Sequence, residues 1–144
     1  MLAIAARAAL SAAPAALQVI TAVVNLSVPA GAFDPSTGKA TVTVTRGLIL
    51  QVQSTNSWRL RMRSTSASFS YTTQPGAGIS KPVSDLQLVN VGTSQTLVPA
   101  TSYLQIAKGG NTHGWSEYAF DVIFQATTGD AGGLYTVNLE FNLY

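Results

Sequence analysis

The sequence predicts an all-β fold: one antiparallel β-sandwich of immunoglobulin-like, Greek-key type. Three observations carry this. The last eleven residues, Leu134–Tyr144, alternate apolar and polar almost without error. Further short alternating runs precede them, separated by Gly, Pro, Asn and Ser clusters. No segment past Ala16 repeats its apolar residues with helical period. A closed barrel is the alternative, since strand spacing alone does not separate the two architectures.

Each element follows from its residues. Leu17–Val28 is a long run, apolar on both faces, which calls for burial on both sides. Pro29-Ala-Gly31 and Asp34-Pro35-Ser-Thr-Gly38 punctuate a turn. Ala40–Thr45 alternates with Val42 and Val44 inward, Arg46-Gly47 breaks the run, and Leu48–Ser54 groups Leu48, Leu50 and Val52. Trp58–Ser64 sets Trp58, Leu60 and Met62 on one face and Arg59, Arg61 and Arg63 on the other. Ala67–Tyr71 reads as a short strand with Phe69 inward, and Thr72–Pro82 as a Gly- and Pro-rich loop. Leu86–Val91, Tyr103–Ala107 and Tyr118–Ala126 are strands, and Gly129-Asp-Ala-Gly-Gly133 turns into the last one. There, Tyr135, Val137, Leu139, Phe141 and Leu143 face one way.

The composition bounds the function. At 144 residues the chain is one domain by size. Charged residues are only 10% of it, against roughly 25% in ordinary soluble domains. Thr, Ser, Asn and Gln take their place, as suits an extracellular β-protein, and the low charge favours self-association. Met1–Ala16 is nearly all Ala and Leu, and Ala13-Pro14-Ala15 has the small-x-small form of a cleavage site. Residues 1–16 are therefore expected to be an export leader and 17–144 the sandwich, secreted to the cell surface. The leader is too short to be a transmembrane helix, and no other segment could span a membrane as one. With no cysteine there is no disulfide or thiolate chemistry, and a net charge of +2 is no nucleic-acid footprint. A leader-free Leu17–Val28 could pair within its own sheet or add to that of a second copy, giving a homo-oligomer or filament.

Trp58-Arg59-Leu60 and Tyr135-Thr-Val-Asn-Leu139-Glu-Phe141-Asn-Leu143 resemble the two motifs of the WxL family of bacterial surface proteins. Trp58 and Leu60 match the first motif. Tyr135, Leu139 and Leu143 match the second, with Phe141 where the family has Trp. The resemblance implies export and non-covalent attachment to the cell wall.

Among polar residues, Arg59, Arg61 and Arg63 form a cationic stripe with guanidinium groups about 7 Å apart, suited to carboxylates or phosphates of a wall polymer. The alternative is a solvated face paired with Asp121 or Glu140. Trp115, in the loop Gly109-Gly-Asn-Thr-His-Gly-Trp115, is a candidate stacking platform for a sugar or a neighbouring subunit; the alternative is that it folds back on the core. His113 is the lone histidine, with no nucleophile elbow to serve, so no enzyme is expected. The six carboxylates are scattered without metal-ligand spacing, and no cofactor is expected. Asp121 and Glu140 would matter to glycoside hydrolysis only if they met in space.

Overall fold

The computed structural model of the chain describes residues 2–8, 15–20, 23–71, 81–130 and 135–144. They form a β-sandwich of two packed sheets, with no α-helix among them. The strands are β1 (Leu2–Ala8), β2 (Ala15–Val19), β3 (Val23–Leu26), β4 (Lys39–Ser54), β5 (Trp58–Ser64), β6 (Ser70–Tyr71), β7 (Leu86–Asn90), β8 (Thr96–Leu97), β9 (Leu104–Gly109), β10 (Ser116–Thr127) and β11 (Tyr135–Leu143). Sheet A runs β3-β1-β11-β5-β9, with β6 also on β11; sheet B runs β2-β4-β10-β7-β8. Among the described residues each sheet keeps two edges, as in a sandwich and unlike a closed barrel.

Alternation builds the core from both sheets. Leu60, Met62, Leu139 and Phe141 of sheet A face Leu50, Val52, Phe120 and Val122 of sheet B, all fully buried. Phe69 ties the layers at one end. Its ring stands edge-on to Phe124 at 5.7 Å and to Tyr135 at 6.3 Å. Trp58 meets Tyr118 edge-on at 5.4 Å elsewhere, the geometry that aromatic quadrupoles prefer.

Three sequence expectations change here. First, Leu2–Ala8, within the stretch expected to be a leader and for which no strand is expected, forms a strand inside sheet A, between β3 and β11. Leu2, Ile4 and Ala6 alternate into the core while Ala5 faces out. The strand runs parallel to β11, from Leu2↔Tyr135 to Ala8↔Phe141, and this is the one parallel pairing among the described residues. Second, Leu17–Val28 is not one strand. Its start belongs to β2 on the edge of sheet B and its later part to β3 on the edge of sheet A. Ile20, exposed where the run leaves β2, still donates its N–H to Ile49 O at 2.9 Å. Third, Arg46-Gly47 does not end a strand. It is a bulge inside β4, where the register with β10 shifts between Phe120 and Val122.

The bulge explains its own residues. Arg46 has φ 50°, and its N–H donates to Asp121 Oδ1 at 2.8 Å. At Gly47 an added Cβ would lie 2.9 Å from Val44 Cγ1 and 3.0 Å from Val122 Cγ2. Branched valines have no flexible end to retract. Gly47→Ala is therefore expected to lower stability by about 1–3 kcal/mol, the usual cost of overpacking. A urea titration measures it.

A buried ionic cluster closes the end near Phe69. Lys81 is 3% exposed, and its Nζ donates to Asp85 Oδ2 and Asp130 Oδ2, each at 2.7 Å. It also lies 5.2 Å from the Phe124 ring centroid. The cluster ties the start of the β7 region to the turn after β10.

Candidate binding face on the outer side of sheet A

The outer face of β5 carries the three arginines, and antiparallel pairing with β9 and β11 decides what each one meets. Arg63 lies opposite Glu140, and its Nη2 reaches Glu140 Oε1 at 3.1 Å. Glu140 Oε1 also accepts a hydrogen bond from the Tyr103 hydroxyl. That bond holds the Tyr103 hydroxyl above the usual tyrosine range, with burial adding to it. Arg63 Nε is buried with no acceptor among the described residues.

Arg61 lies opposite Asn142 and Gln105, and its Nε donates to Asn142 Oδ1 at 3.0 Å. Its guanidinium sits between two rings, 4.3 Å from the Tyr103 centroid and 4.5 Å from that of Tyr144. Arg61 is thus held in place by cation–π contact on both sides.

Arg59 differs from both. Its cross-strand neighbour is Lys108, a second cation. Among the described residues neither has a carboxylate partner, whereas Arg46, Arg63 and Lys81 each do. Both side chains are exposed beside an open cleft of about 680 Å3, bounded also by Ser57, Trp58, Tyr144 and the Gly109-Gly110 pair. The stripe is therefore graded: neutralised at Arg63, clamped at Arg61, uncompensated at Arg59.

The cleft has a fixed frame. Arg59 and Tyr144 exchange backbone hydrogen bonds of 2.7 and 2.9 Å. The indole N–H of Trp58 donates to Gly110 O at 2.9 Å. Gly109 is needed under the indole, because a Cβ there would lie 2.8 Å from Trp58 Cζ2. Gly110 meets nothing within 4 Å.

The remaining candidates fall elsewhere. Trp115 is 48% exposed, so it does not fold back on the core, and it does not line this cleft. His113 is exposed at φ 51° in its loop, with its backbone N–H on Asn111 Oδ1. Asp121 and Glu140 lie on different sheets with different partners, so the structure does not join them as a catalytic pair. Among the described residues no group of His, Asp or Glu side chains is placed to hold a metal, and no helix is long and apolar enough to cross a membrane. Trp58, Leu60, Tyr135, Leu139, Phe141 and Leu143 are all buried.

The sequence reading overlooked Lys108, Tyr103 and Tyr144 as members of this face. Only strand register brings them to the arginines, and no local pattern encodes register between β5 and β9. No family model matches the sequence, and no curated protein matches it.

Proposed function

We propose that this protein is a non-enzymatic structural component of the cell surface that associates with its own copies by exchanging its N-terminal strand. The observation that carries this reading is the position of β1. The strand fills a slot between β11 and β3, with Leu2 and Ile4 in the core. Residues 9–14 separate it from β2, which belongs to the other sheet. The same backbone ladder and the same apolar contacts are satisfied when the strand comes from a neighbouring copy. Exchange then closes into a dimer or propagates as a filament. The low charge and the Thr-, Ser- and Asn-rich exterior support a secreted, surface-exposed life. The Trp58-x-Leu60 and Tyr135–Leu143 motifs support association with a wall. Their buried side chains set the fold, which leaves wall contact to the outer faces.

The test uses the absence of native cysteine. Ala5 and Asn138 are register partners on the exposed side of β1 and β11. Chains carrying Ala5→Cys and chains carrying Asn138→Cys are refolded together and oxidised. Strand exchange is expected to give disulfide-linked mixed dimers on a non-reducing gel. If only the double variant forms a bond, and only within one chain, the exchange reading is wrong.

A further inference from the structure

We infer that the Arg59–Lys108 cleft binds an acidic saccharide, gripping the carboxylate of a uronate unit between the two cations while the sugar ring packs on Tyr144. Like charges directly opposite across two strands destabilise a sheet. Here the opposition is uncompensated among the described residues, although carboxylates elsewhere are matched to cations. An incoming anion relieves that repulsion and satisfies both donors at once. The guanidinium fork suits a carboxylate in a two-bond mode, and the ammonium adds a point charge beside it.

The saccharide assignment rests on the walls. Tyr144 is 47% exposed, and Arg61 supports its ring at 4.5 Å. Amphipathic sugar faces pack on such a ring. Gly110 contributes no side chain and meets nothing within 4 Å, which leaves the cleft open along the strand end, and about 680 Å3 accommodates a short run of sugar units. Among the described residues the cleft holds two cations without a carboxylate partner, too few for a nucleic-acid track, which needs a dense basic surface. The site does not depend on strand exchange.

Titration calorimetry with an oligogalacturonate at low salt tests the assignment. Binding is expected, weakening as salt rises. Arg59→Gln and Lys108→Gln are each expected to weaken it about tenfold, the loss of one charge-assisted hydrogen bond. Arg46→Gln, a cation on sheet B, is expected to leave it unchanged. Both cleft variants are expected to melt no lower than the parent, because each removes a like-charge contact, and this separates lost binding from lost folding. Absence of binding overturns the proposal, as does equal weakening by Arg46→Gln. A polyphosphate of matched charge that binds as tightly overturns the saccharide assignment.

Discussion

Deleting residues 1–16 is expected to abolish the cooperative unfolding transition of the chain. These residues contain β1, whose Leu2 and Ile4 are each 1% exposed. Burial of two such side chains is worth about 1.5–3 kcal/mol apiece. The deletion also uncovers one edge of β11 from Tyr135 to Phe141 and takes from β3 the strand it pairs with. The total is comparable to the whole stability margin of a small domain, about 5–15 kcal/mol. A thermal melt followed by circular dichroism should show a broad, non-cooperative change where the full chain shows a sharp one. A synthetic peptide of residues 1–16, added in excess, should restore the sharp transition, because binding the native state alone stabilises it by mass action. A truncated protein that melts like the full chain would mean that β1 contributes nothing to the fold. That result would agree with the leader reading of the same residues.

Lys81→Met is expected to cost about 3 kcal/mol, the lower end for breaking a buried ion pair. The lower end applies because Asp85 and Asp130 retain some contact with water. Methionine keeps the contact with the Phe124 ring, so the loss is mainly one of charge pairing. The pH dependence follows from the groups themselves. Burial alone would lower the Lys81 pKa, but the hydrogen bonds and charges of Asp130 and Asp85 outweigh it and hold the ammonium above the usual lysine range. Burial alone would raise Asp130, but the hydrogen bond from Lys81 and the N–H of Thr127 outweigh it and hold the carboxyl below the usual range. A depressed carboxyl contributes stability above its unfolded pKa, near 3.8, and loses it as pH falls through the lower folded value. A raised ammonium contributes fully below its unfolded pKa, near 10.5, and loses it as pH rises through the higher folded value. The parent is therefore expected to hold this increment across the range between, with one loss on each side. Lys81→Met should lack the alkaline loss and show a reduced acid one. Urea titrations across pH measure both; an unchanged acid limb would mean that Asp130 gains nothing from Lys81.

The architecture was legible in the sequence where one side of a strand is buried and the other is not. Tyr135–Leu143 and Trp58–Ser64 show their inward faces in the bare residue order, and those faces are buried. Residues 2–8 were illegible for a physical reason. Alanine carries little pattern, so a strand reading Leu-Ala-Ile-Ala-Ala-Arg-Ala has the composition of an export segment. Leu17–Val28 failed in the opposite way. With apolar residues on both faces, nothing in the order marks where the chain leaves one sheet for the other. The Arg46-Gly47 break was visible, but its meaning was not, since a bulge and a turn share the same residues. At the candidate site the arginine stripe could be read, and its unequal environments could not. Which of three identical guanidinium groups meets Glu140, two rings or Lys108 depends on partners dozens of residues away. Lys81 was silent for the same reason, because Asp130 approaches it only through the turn after β10.

The parallel pairing of β1 with β11 also sets a timetable. Leu2 finds its neighbour in Tyr135, near the opposite end of this sequence. A ribosome releases the first strand long before it has made the last. Until then, the slot beside β11 does not exist, and an apolar ribbon must wait without a home. Loop-closure entropy over so long a separation slows the final docking step. Under the proposed exchange, that interval is when the waiting ribbon meets the vacant slot of another molecule in competition with its own, and the crowding of nascent chains sets which union forms.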